Sequence, residues 1–195
     1  MKPLFKFFII FILFFFASTA NAFQWDIDPD HSEVRFEVKH IHAKVSGQFT
    51  DFKADLFFNP DTPDQGKVDF TIAVKSVNTH NGKRDNHLRS KDFFDSDKFP
   101  NMTFHSSKIT HIKDNLYALE GMMTIKDVTQ KMNLEFIFFA PQQHPFDTQK
   151  WVTGSTTGFV VPRLDFHVGD GKFLKMGVVG NEVDVTISIE ALRDK

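Results

Sequence analysis

The chain has 195 residues, 23 basic against 25 acidic side chains, a formal charge of −2 and no cysteine. That length suits one domain with a sizeable core. The mildly acidic balance excludes the basic footprint of a nucleic-acid-binding protein, and the missing cysteine excludes a disulfide scaffold, a thiolate metal site and a lipid-modified lipoprotein.

Residues 1–22 read as an export signal. Lys2 and Lys6 precede an unbroken apolar run over residues 7–17, and Ala20-Asn21-Ala22 fits a small-x-small cleavage site, which predicts a mature chain starting at Phe23. The rival reading is an uncleaved anchor, but the run is too short to span a bilayer, and no later segment is long and apolar enough for a membrane helix. No membrane insertion is expected after cleavage. Loss of Lys2 and Lys6 takes the formal charge from −2 to −4.

From there a period of two dominates. Val34, Phe36, Val38 and His40 alternate with Arg35, Glu37 and Lys39, and Phe52, Ala54, Leu56 and Phe58 with Lys53, Asp55 and Phe57. Val68, Phe70, Ile72 and Val74 form a third run, and Met102 and Phe104 lead a fourth that reaches about Ile112. Tyr117, Leu119, Met123 and Ile125 share a face in the fifth, and Met132, Leu134, Phe136 and Phe138 in the sixth. Phe159 and Val161 belong to a seventh, and Val183, Val185, Ile187 and Ile189 to an eighth. This is strand patterning with one buried face.

Turn signals fall between the runs: Ser46-Gly47, residues 59–66, Lys113-Asp114-Asn115 and residues 126–129. Residues 141–148 read as a longer loop, and residues 169–180 as a loop with room for a short helix. Residues 76–104 are too charged for core and too rich in Phe for a free linker, which predicts an ordered crossover clamped onto the β-structure. No repeat or interdomain linker is visible.

Eight antiparallel strands hiding one face form either a sandwich or a closed barrel, and closure removes the exposed edges. An eight-stranded interior holds side chains or one slender ligand. The chain carries 25 Phe against one Tyr and two Trp, and Phe brings large apolar area with no polar atom to satisfy. Periodicity does not distinguish a filled barrel from a hollow one. It also permits an outer-membrane barrel with its apolar face outward, although polar residues interrupt the runs and the chain ends on Lys195 rather than on an aromatic.

Signals for chemistry are weak. His40 and His42 share a strand face at i, i+2 spacing, with His31 and His87 as further donors, but zinc needs three or four ligands at one point. Asp26, Asp28 and Asp30 lack the glycine and distal Glu of a calcium loop. Ser32 and Ser155 lie in no nucleophile elbow. No catalytic or metal site is expected, and a His- and Asp-dependent enzyme is the least supported alternative.

Several segments, taken together in order and spacing, carry a family likeness. They are Trp25-Asp26-Ile27-Asp28, His31-Ser32 and His40, then Gly47-Gln48-Phe49 and Phe52, then Ser76-Val77-Asn78-Thr79, Arg84-Asp85, His87-Leu88 and Ser90, and last Asp92-Phe93-Phe94-Asp95 and Phe99-Pro100. Over nearly the whole mature chain they resemble the YceI-like family. The resemblance implies an all-β fold, an extended eight-stranded antiparallel lipocalin-like β-barrel with a short helical crossover segment over residues 23–195. It also implies a periplasmic location and an apolar tunnel for a long-chain lipid (a polyisoprenoid, an isoprenoid quinone or a fatty-acid derivative), with no catalysis and no cofactor beyond that ligand. Two turns depart from the family pattern. Lys126-Asp127-Val128-Thr129 stands where His-Gly-Val-Thr is frequent, and His167 follows Arg163-Leu164-Asp165-Phe166 where Gly is frequent.

On that reading the tail would meet Phe36, Val38, Phe52, Leu56, Phe70, Ile72, Phe104, Leu134, Phe136 and Ile187, each of which is equally well explained as plain core. Lys44, Arg84, His87 and Arg89 flank the first strand turn and the crossover and are the candidates for a head group, since several cations suit a phosphate and Arg binds two oxygens at once. Alternatively, Arg84 and Asp85 pair with each other or with neighbours to fix the crossover. An exposed apolar edge at the mouth is a candidate homodimer contact.

Overall fold

The computed structural model describes residues 23–195; the predicted signal peptide lies outside the described residues. Eleven strands follow in order: β1 (Gln24–His40), β2 (Ala43–Phe49), β3 (Phe52–Phe57), β4 (Lys67–Ala73), β5 (Val77–Asn78), β6 (Asn101–Lys113), β7 (Leu116–Ile125), β8 (Val128–Phe138), β9 (Gln142–Gln143), β10 (Lys150–Pro162) and β11 (Val179–Asp194). Two short helices, α1 (Gly82–Arg89) and α2 (Lys172–Lys175), complete it. The sheet runs β11-β10-β8-β7-β6-β4-β3-β1, and β1 pairs again with β11, so eight staves close a barrel. All pairings are antiparallel, with Val34 opposite Ile187 and Val38 opposite Val183 at the seam. β2 and β3 form one bent stave, β2 against the C-terminal half of β1 and β3 against its start at Gln24 and Trp25.

The sandwich alternative is thereby excluded. The membrane-barrel alternative is the inverse of what is seen. The apolar faces point inward, and the outer face carries ion pairs such as Arg35 with Glu33 at 2.8 Å and Lys131 with Glu120 at 2.7 Å, where a membrane barrel needs an apolar band. No described helix is long and apolar enough to cross a membrane.

Ser46-Gly47 does not turn the chain. Both lie inside β2, opposite Glu37 and Phe36, and the hairpin bends at Ile41 and His42. Gly47 is there for space, because a Cβ would collide with the Phe36 ring and with Thr79. β1 also begins earlier than its apolar run, because a bulge between Asp28 and Glu33 interrupts the alternation. β10 begins at Lys150, ahead of its Phe159 and Val161 signal.

The ends of the barrel differ. At the terminal end Trp25 donates its indole N–H to the Phe58 carbonyl at 3.0 Å, and Phe58 sits 4.7 Å from Phe138 and 5.1 Å from Tyr117, ring to ring. At the other end the crossover, with α1 capped by the Asn81 side chain, is joined by a 3-10 turn (Arg163–Phe166) and by α2. The Phe93 and Phe173 rings stack there at 5.8 Å.

Candidate binding tunnel

The inward faces do not meet. They enclose a cavity of about 260 Å³ that runs from Trp25, Phe58 and Phe138 at the terminal end to Phe166, Val168 and Val179 at the crossover end. Along β11 its lining extends from Val179 to Ala191, about 40 Å of strand at the usual rise per residue. Small-molecule pockets commonly measure about 300–1,000 Å³. This one is therefore narrow for its length and shaped for one extended chain.

Of the ten tail candidates, Phe36, Val38, Leu56, Phe70, Ile72, Phe104, Leu134, Phe136 and Ile187 line the cavity. Phe52 does not. It follows the bend between β2 and β3, stacks on Phe70 at 5.6 Å and lines a separate cleft with residues 48–51. The lining also holds residues that carried no apolar signal. Ser155 and Thr157 face inward from β10, with Thr157 Oγ1 donating to the Glu135 carbonyl at 2.7 Å. Leu88, Phe93 and Phe94 reach in from the crossover. Alternate small hydroxyl side chains after Lys150 and the Phe content of the crossover were the available clues.

None of the four head-group candidates lines the cavity. Lys44 lies on the outer face between Glu37 and Asp184, 3.1 Å from each. Arg84 donates to Thr79 Oγ1 and to the Thr79 carbonyl, both at 2.7 Å. Arg89 donates to the carbonyls of Lys75 at 2.8 Å and Val77 at 2.7 Å. His87 meets Asp92 at 3.1 Å and packs edge-on to Phe93. Asp85 is buried and accepts from the Thr79 N–H at 2.9 Å and its hydroxyl at 2.5 Å. Arg84 and Asp85 thus meet on Thr79 and fasten α1 to the strand before it. That is the clamp alternative, made through a shared partner.

The buried cation at the cavity wall is Arg163, 5% exposed. It donates Nε to the Gly180 carbonyl at 2.8 Å and Nη1 to the Val168 carbonyl at 2.6 Å, with Nη2 3.5 Å from the Val179 carbonyl. Among the described residues no carboxylate lies within ion-pairing distance of it, and burial pulls its pKa below the ordinary guanidinium value, partly offset by Asp170. A guanidinium has five N–H donors, so two remain beyond these three contacts.

The two departures from the family pattern meet at this end. Lys126, in the β7–β8 turn, donates Nζ to the carbonyls of Phe93 at 2.7 Å and His167 at 2.6 Å, and burial lowers its pKa. Asp127 faces His167 Nδ1 at 3.1 Å. His40 and His42 do not converge with His31 or His87. The group of three candidate metal ligands found among the described residues is Asp28, His31 and Glu190 at the β1 bulge, where His31 Nδ1 is 2.8 Å from Asp28 and 3.7 Å from Glu190.

Known proteins share this architecture. The YceI-like domain family matches residues 25–191. The protein YceI of Escherichia coli is 31% identical over 186 residues, covering 94% of each chain. The crystal structure of Burkholderia cenocepacia BcnA is 25% identical with a TM-score of 0.77, covering 85% of this chain and 99% of that one. A polyisoprenoid binding domain from Saccharophagus degradans, 13% identical with a TM-score of 0.64, covers 86% of this chain and 97% of its own and shares the fold.

Proposed function

The chain belongs to the YceI-like family, and from that membership and the tunnel we propose that it is a periplasmic binding protein for a long-chain amphiphile, with no chemistry of its own. A polyisoprenoid, an isoprenoid quinone or a fatty-acid derivative fits the class, and the polyisoprenoid binding domain among its structural neighbours supports it. The observation that carries the reading is the narrow apolar cavity running the length of the barrel. Each buried methylene contributes about 0.8 kcal/mol, so a sixteen-carbon tail gains roughly 13 kcal/mol before association and ordering costs. A hydrogen bond to a charged side chain adds only about 1.5–3 kcal/mol. The tail therefore sets affinity, and the polar terminus sets selectivity. The export-signal pattern of residues 1–22 supports that compartment.

Titration of the delipidated protein with a long-chain fatty acid and with a prenyl alcohol, read by displacement of an environment-sensitive fluorophore, tests this. One saturable site per chain is expected. Ser155 lines the cavity without a side-chain hydrogen bond of its own, so Ser155→Phe narrows the tunnel at mid-barrel. It is expected to weaken binding at least about tenfold while the circular dichroism stays native. No saturable binding to the unmodified chain, or undiminished binding to the variant, contradicts the reading.

A further inference from the structure

The crossover end bears an apolar cluster that faces water. Ile41 at the tip of the β1–β2 hairpin is 46% exposed, and Leu174 and Met176 on and after α2 are 40% and 69% exposed. They adjoin, because the Ile41 N–H bonds to the Val178 carbonyl at 3.0 Å while the Met176 N–H closes α2 onto Lys172 at 3.0 Å. Ile41 also has φ of 52°, a left-handed conformation that is costly for a β-branched residue. A hairpin tip of this kind normally takes Asn or Gly, so folding gives no reason for the isoleucine.

The two segments that carry this cluster are basic, with Glu37, Asp170, Glu182 and Asp184 at their borders. Residues 38–45 and 171–180, which carry it, contain Lys39, Lys44, Lys172, Lys175, His40 and His42 and no carboxylate, in a chain that is acidic as a whole. Lys44 is held by Glu37 and Asp184, and Lys172 by Asp170 at 3.7 Å. Among the described residues Lys39 and Lys175 form no ion pair. Exposed aliphatic side chains interleaved with lysines match an anionic bilayer interface, where buried apolar area and attraction to acidic head groups add.

The cluster is continuous with the tunnel. Val179 lines the cavity and pairs with His40, one residue from Ile41. α2 turns Phe173 inward onto Phe93, a lining residue, while Leu174 and Met176 face out. We propose that this end docks on an anionic membrane surface and is the portal by which a tail passes between bilayer and barrel. The proposal rests on the tunnel reading above.

Flotation with phosphatidylglycerol–phosphatidylethanolamine vesicles, with phosphatidylcholine vesicles as the control, tests it, and native mass spectrometry of the same preparations reports tunnel occupancy. The chain is expected to partition at least about tenfold more strongly onto the anionic vesicles, less so at high salt. Ile41→Asn with Met176→Ser, and separately Lys39→Glu with Lys175→Glu, are each expected to abolish that preference without lowering the melting temperature, since all four side chains are exposed and Asn relieves the left-handed strain at position 41. A chain that carries lipid but does not float, or variants that float like the parent, overturns the docking proposal alone. A chain that floats but never takes up lipid upholds docking and overturns the tunnel reading. If the first variant instead splits a dimer and leaves vesicle binding intact, the cluster joins two copies and the proposal fails.

Discussion

Single side chains set the character of the tunnel and of its surroundings. Arg163 is the buried charge at its wall, and the carbonyls of Gly180, Val168 and Val179 hold it there. Sequence reading favoured the dense cations of the crossover, because cations in a charged loop suggest anion binding. The structure commits Arg84 and Arg89 to backbone carbonyls instead. At the β1 bulge, Asp28 raises the His31 pKa above the ordinary imidazole value, chiefly by hydrogen bonding, and His31 in turn holds Asp28 below the ordinary carboxylate value. The sign follows from linkage. The His31 contribution is present at pH below its unfolded pKa and is lost as pH rises through the raised folded one. The Asp28 contribution is present above its unfolded pKa and is lost as pH falls through the lowered folded one. Asp28→Asn is therefore expected to move the His31 midpoint down toward the ordinary value by NMR titration, with Glu190 and Asp30 still raising it. It is also expected to lower the melting temperature more at pH 5.5 than at pH 8.5, where neutral His31 leaves little pairing to lose; an equal loss at both would refute the pairing.

Among the elements, β7 and β8 were legible because each buries one face of a plain alternation, and their turns at Asp114-Asn115 and Lys126-Asp127 were marked by polar residues, whereas β6 follows its alternation only through Met102 and Phe104 before a bulge after Ser106 shifts the buried face to Ile109. The first hairpin was not legible. Ser46-Gly47 has the chemistry of a turn, but Gly47 is needed under the Phe36 ring inside a strand. β10 was seen only at its apolar end, since Thr153, Ser155 and Thr157 face the tunnel without raising the hydropathy. Nine of the ten tail candidates reach the cavity because alternation fixes which side a residue faces, whereas Phe52 sits beyond a bend that alternation does not encode. The crossover is held by the buried carboxylate of Asp85, which takes two hydrogen bonds from Thr79. Asp85→Ala is expected to cost about 2–3 kcal/mol in denaturant unfolding, as for lost hydrogen bonds to a charged group, and to speed amide exchange over residues 77–100 while β6–β8 stay protected. Unchanged exchange there would mean that α1 is held by packing alone.

At the scale of the molecule, barrel closure follows from the β1–β11 seam, and the hollow follows from how the inward side chains are distributed. Aromatic rings crowd the terminal end around Phe58, and Phe93 and Phe173 stack over the other, while small residues such as Ser155 and Thr157 leave room between. Binary patterning supplied eight one-faced strands and left a sandwich open beside the barrel; whether the interior is filled depends on side-chain volumes in three dimensions, and period-two alternation is silent on that. The family resemblance supplied that expectation, and the cavity of about 260 Å³ is the observation that now supports it. The most direct measurement is native mass spectrometry of the purified protein, followed by organic extraction. The account predicts one long-chain amphiphile per chain, released by solvent and absent from Ser155→Phe. Recovery of protein alone, with no uptake of added prenyl lipid or fatty acid, would contradict it.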